Sequence, residues 1–140
     1  MDCVTSFNIS SLMLLIVGAI HIVPVIGVLG QTQLSKLYGI NFTDHNSLIL
    51  AMHRAVLFGI LGIFWIYAAF IPSLQALAYL SSTVSVISFL WISLAVGNYN
   101  SKLLRVVNVD VIALSCILIG TIAYYNQCFD QEVIRSTCRL

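Results

Sequence analysis

Hydrophobic residues in this chain form long, nearly unbroken blocks separated by short polar stretches, and no stretch sustains the alternation of a half-buried strand. Crossing the ~30 Å hydrocarbon core of a bilayer takes about 20 consecutive apolar residues in helical form. Four blocks meet that length, at 7–30, 48–71, 74–97 and 106–125. The pattern predicts an all-α integral membrane four-helix bundle. It forms a single membrane domain over 1–140 with a short extramembrane C-terminal tail over 126–140. No internal repeat or low-complexity tract interrupts it.

The connections carry their own chemistry. Pro72-Ser73 predicts a tight turn, with proline stopping one helix and serine capping the next. Gly97-Asn98-Tyr99-Asn100-Ser101 is a turn cluster that ends the third helix. The longest connection, 31–47, places Leu34, Leu37 and Tyr38 at helical spacing around Lys36, the mark of a short helix lying at the lipid–water interface. Thr43, Asp44, Asn46 and Ser47 are all suited to cap the second helix.

Composition agrees with the pattern. Of 140 residues, 60% are hydrophobic and 8% charged, whereas a water-facing domain carries about 25% charged residues. With a net charge of +1 and no basic stripe, nucleic acid is not an expected partner. The N-terminus lacks the positive flank of a secretory signal, so the first apolar segment is expected to be retained. Cys3, Cys116, Cys128 and Cys138 form no C-x-x-C pair, which weighs against a zinc or thiol-exchange site.

Four helices bring both termini and the Pro72 turn to one side (side A) and the 31–47 and 98–105 connections to the other (side B). Lys36, Lys102, Arg105 and Arg54 lie at side B, and only the distal Arg135 and Arg139 lie at side A. The positive-inside rule therefore places side B in the cytoplasm and both termini outside. Tyr67, Phe70, Tyr79, Tyr124 and Tyr125 cluster near side A, where an aromatic belt would lie. Cys3, Cys128 and Cys138 would then stand where disulfides can form, either as a clasp on the tail or as free thiols. Cys116, in mid-helix, reads as a small packing residue.

Ionisable groups inside spanning segments are costly, which makes each a functional candidate. Here they are His21, His53, Arg54 and Asp110, and at ~1.5 Å rise per residue all four fall in the side-B leaflet although three helices supply them. Asn98 and Asn108 sit at the same face. Arg54 and Asp110 are the only opposite charges near membrane depth, so an ion pair joining the second helix to the fourth is one expectation. The rival readings are a capping Asp110, a snorkelling Arg54 and an interfacial His53. Pro24 follows His21 within one turn and predicts a kink that either opens space beside the imidazole for a substrate or water or lets His21 bond the freed Ile20 carbonyl; a satisfied core histidine is the rival reading.

His21 and His53 are the one pair that could hold a haem between two helices, but their depths differ by about four residues, an awkward match. No other cofactor is indicated, and no metal site. On the third helix, Ser81, Ser85 and Ser88 form a polar stripe that either bonds across helices or lines a hydrated path. Ala51, Ala55, Gly59 and Gly62 form a small-residue packing face on the second. Asn8-Ile-Ser10 and Asn41-Phe-Thr43 match the glycosylation pattern by chance, lying at the membrane.

At GAIHIVPVIGVLG, LYGI, HRAVLFGILG and VGNYN…VVNVD, the chain resembles a family of small four-helix bacterial inner-membrane proteins similar to the DoxX-like group. The resemblance runs from about Gly18 to Asp110 and rests on His21, Pro24, His53, Arg54, Gly59, Asn98 and Asp110. It implies an accessory membrane subunit associated with quinone-linked electron transfer. Names of soluble nucleotide-transfer enzymes found in that family do not carry over, because the chain has no phosphate-binding loop.

The leading expectation is a membrane protein whose cytoplasmic-leaflet polar pocket, built from His21, His53, Arg54, Asn98 and Asp110, binds a small amphiphile or quinone or stabilises another membrane subunit. An enzymatic alternative is an isomerase, cyclase or hydrolase acting on a lipid-soluble substrate, with His21 or His53 as acid–base catalyst and Asp110 orienting the imidazole. A proton-coupled transporter is the third, disfavoured by the shallow placement of Asp110.

Overall fold

The computed structural model describes residues 8–137, with side chains through Phe129. The chain forms α1 (Ile9–Ile22), a 3-10 segment (Val23–Leu29), α2 (Gln31–Tyr38), α3 (His45–Ala68), α4 (Pro72–Val96) and α5 (Ser101–Thr137). Four stretches, Ile9–Leu29, His45–Ala68, Pro72–Val96 and Ser101–Phe129, are long and apolar enough to cross a membrane. The architecture is the all-α four-helix bundle that the hydrophobic blocks predict.

Helix α1 packs on α3 and α5, and α4 packs on the same two helices from the other side. Helices α3 and α5 therefore stand on the diagonal, and among the described residues their backbones do not meet. The shared core holds Leu14 and Val17 of α1, Trp65 and Ala68 of α3, Ala78 and Val86 of α4, and Ala113 and Ile117 of α5. Large apolar side chains such as Ile60, Ile63, Leu80 and Ile119 face outward, as lipid-facing positions do. In lipid, such helices are held by close packing and cross-helix hydrogen bonds, since the tails are as apolar as the side chains. The small face on α3 serves this packing, with Ala55, Gly59 and Gly62 buried.

Several boundaries differ from the sequence reading. The first span is two helices in series. Pro24 has no N–H to give the Ile20 carbonyl, and the chain tightens to a 3-10 segment from Val23, but the expected space beside His21 does not open, because its ring is buried against Trp65 and Phe58. Pro72 opens α4 at its first position with Ile71 as N-cap, so Ser73 lies inside the helix and caps nothing. Helix α5 begins five residues before the predicted 106 and runs to Thr137, continuing into the predicted tail. Of the four candidate caps for α3, Asp44 does the work: its carboxylate accepts the backbone N–H groups of Asn46 and Ser47 at 3.3 and 2.9 Å.

At side B the 3-10 segment leans on α3 and leaves α5, while α2 crosses over to touch the 3-10 segment, α3 and α5. Gly39, at φ 68°, ends α2 in the left-handed conformation, its N–H bonded to the Ser35 carbonyl. Asn100 then pins this corner. Its side-chain amide donates to the Tyr38 carbonyl at 2.9 Å, and its Oδ1 accepts from the backbone N–H groups of Lys102 and Leu103, capping α5.

Candidate functional site

The α3–α4 hairpin is closed at side A by its short turn, and the Trp65 indole N–H ties it by donating to Ser81 Oγ at 3.0 Å. Toward side B a cavity of about 640 Å³ lies between the two helices, roofed by Tyr38 of α2 and by Ile40, Phe42 and Tyr99 of the connections. That volume lies in the range of small-molecule sites. Its walls are chiefly aromatic and aliphatic, with Ser85, Ser88 and Ser93 and, among the described residues, one cation, Arg54; the Ser88 and Ser93 hydroxyls donate to the Ser85 and Phe89 carbonyls of their own helix. The serine stripe thus divides its labour: Ser81 bonds across helices, and Ser85 and Ser88 line the cavity.

Arg54 enters on α3, six residues in from Leu48. Its guanidinium carbon lies 4.9 Å from the centroid of Phe58 and 5.1 Å from that of Phe89, so one ring from each helix carries the cation. Among the described residues it closes no ion pair, Asp110 included. Asp110 lies largely buried on the diagonal helix α5, within electrostatic reach of Arg54 but beyond contact. Tyr38 completes this neighbourhood. Burial pushes its hydroxyl above the ordinary tyrosine range, Arg54 pulls it back and Asp110 pushes it up again.

His21 is buried behind this wall. Its ring meets Trp65 edge-on at 4.5 Å and Phe58 at 5.5 Å, and Nδ1 donates to the Val17 carbonyl at 3.0 Å. The bond goes to the preceding turn and not to the Ile20 carbonyl that Pro24 leaves free. His53 is exposed on α3 and does not line the cavity. Asn98 is exposed at φ 48°, next to Gly97 at φ 62°, and serves the turn that ends α4. Of the five residues grouped by depth, the structure brings together Arg54 and Asp110 electrostatically and joins His21 to Arg54 through the Phe58 ring. His53 and Asn98 stand apart. No hydrogen bond links Asp110 to either histidine among the described residues.

A second polar cluster lies near side A. Ser10 Oγ donates to Gln75 Oε1 at 2.9 Å, Gln75 Nε2 donates to Ser11 Oγ at 3.2 Å, and the Tyr79 hydroxyl donates to the Ser10 carbonyl at 2.6 Å. Tyr79 is consequently a buried interhelical tie, unlike the exposed Tyr67, Phe70 and Tyr125. These groups satisfy one another between α1 and α4. Of the cysteines expected near this side, Cys128 is exposed, and Cys3 and Cys138 lie outside the described residues.

No protein-family model, curated protein or solved structure matches the chain.

Proposed function

We propose that the chain is a multi-pass protein of the bacterial inner membrane, with side B in the cytoplasm, that holds a small amphiphile between α3 and α4 as an accessory membrane subunit. The observation that carries this reading is the composition of the cavity wall, in which Arg54, Ser85, Ser88 and Ser93 are set among aromatic and aliphatic side chains. A site of this kind orients a ligand by a few polar groups and holds it by apolar contact. Leu50, Ile92 and Val96 line the cavity and are also exposed on the lipid side, giving a lateral path from the leaflet. His21 supports Phe58 from behind, and Asp110 sets the charge beside Arg54. The DoxX-like resemblance adds a quinone to the candidate occupants.

This reading favours binding over acid–base catalysis, because His21 is committed to Val17 and buried against two rings. Native mass spectrometry of the chain released in mild neutral detergent tests it. The expected result is one discrete non-protein mass per chain, lost on filling the cavity with Ser93→Trp. A bare chain, or a mass that Ser93→Trp leaves in place, contradicts the reading.

A further inference from the structure

We infer that the occupant of this cavity carries an oxyanion head, a carboxylate or phosphate, seated on Arg54, with one apolar tail lying along α4. The inference deepens the amphiphile reading and rests on it.

Arg54 offers five N–H donors in a planar fork. Phe58 and Phe89 take its cation–π contact, and no acceptor among the described residues takes a hydrogen bond or ion pair from its side chain. Arg54 is exposed and lines the cavity, so its fork is open to an incoming ligand, and a bidentate oxyanion is the group whose geometry meets it. Asp110, the one acidic group among the described residues within electrostatic reach, sits across the bundle diagonal and does not close on it. Asp44, the other acid near side B, spends its carboxylate on the α3 cap.

The surrounding charge points the same way. Lys36, Lys102 and Arg105 stand at this end of the bundle, and Lys102 reaches back toward the Ser35 carbonyl at 3.5 Å on α2. They bias the approach to the cavity toward anions. Tyr38 holds a neutral hydroxyl at the roof, its ionisation pushed upward by burial. Along α4 the wall extends from Ser85 to Val96, about 16 Å at the helical rise. That is about half the ~30 Å hydrocarbon core, so a tail lying along it stays within one leaflet.

The test is native mass titration of the full-length chain in neutral detergent with oleate, methyl oleate and oleoyl lysophosphatidate. Oleate or the lysophosphatidate should bind one per chain at least about tenfold more tightly than methyl oleate, the worth of a charge-assisted hydrogen bond. The tighter of the two identifies the head as carboxylate or phosphate. Arg54→Gln should remove this preference while leaving methyl oleate binding in place, and Arg54→Lys should retain part of it. Should Arg54→Gln fail to fold, Arg54→Lys together with the wild-type comparison still decides. Equal binding of acid and ester by the wild type overturns the oxyanion head and leaves the amphiphile reading standing. Absence of saturable binding by any of the three overturns both.

Discussion

Gly18 of α1 and Gly62 of α3 face each other so closely that a Cβ built on either would stand 2.8 Å from the other's carbonyl oxygen. The contact is backbone against backbone, and no side chain can move aside to relieve it. Small residues permit such approach between membrane helices, and here it fixes where α1 crosses α3. Gly62→Ala should destabilise the protein by about 1–3 kcal/mol, read as a lowered unfolding midpoint in detergent. Ala95→Leu, on an exposed position of α4, should leave the midpoint unchanged. An unshifted Gly62→Ala would contradict the crossing.

The side-A network makes a second prediction. Gln75 bonds both Ser10 and Ser11, and Tyr79 bonds the Ser10 carbonyl. Interhelical hydrogen bonds in membranes average about 0.6 kcal/mol and reach about 1.7. Ser10→Ala and Gln75→Leu should each cost an amount in that range. Their double mutant should cost less than the sum of the singles, because both remove the same bond. Strict additivity would show the two side chains to be independent.

Asp44 links stability to pH. Hydrogen bonds from Ser47 and Asn46 hold its carboxyl below the ordinary aspartate range. A lowered folded-state pKa means the cap contributes above the unfolded value and is lost as pH falls through the folded one. The unfolding midpoint should therefore fall on acidification in the wild type by more than in Asp44→Asn, whose amide caps without titrating. Parallel acid profiles for the two proteins would exclude the role.

Tyr38 reports on the charges at the cavity mouth. Arg54 pulls its ionisation down against burial, so Arg54→Gln should move the Tyr38 hydroxyl further up. Ultraviolet titration of each protein against its own Tyr38→Phe variant isolates that one phenol. A downward shift, or none, would place Arg54 away from Tyr38.

The spans, the Pro24 irregularity and the small-residue face of α3 were legible because each follows from local rules of length, missing donors and residue size. Depth along a helix singled out His21, His53, Arg54 and Asp110. What depth omits is the angle around the axis. His53 precedes the buried Ala55 by two residues, about 200° around the helix, and so faces outward; the small face from Ala55 to Gly62 already carried that phase. The Arg54–Asp110 ion pair does not close because their helices are diagonal, a fact of packing order that spacing does not encode. The cavity likewise depends on how α3 and α4 separate toward side B. Gln75 was missed because it lies only three residues beyond Pro72, where an amide passes for interfacial, and it carries no charge to draw notice.

The central claim is a lateral cavity between α3 and α4 that takes up an amphiphile, and photolabelling tests it most directly. The chain, in neutral lipid nanodiscs, is irradiated with a fatty acid bearing a diazirine on its alkyl chain, and the labelled residues are mapped by peptide mass spectrometry. The account predicts label concentrated on Phe58, Phe89 and Ile92, suppressed by excess unlabelled fatty acid. Label spread evenly over outward positions such as Leu57, Ile60 and Ile119, and indifferent to competitor, would contradict it.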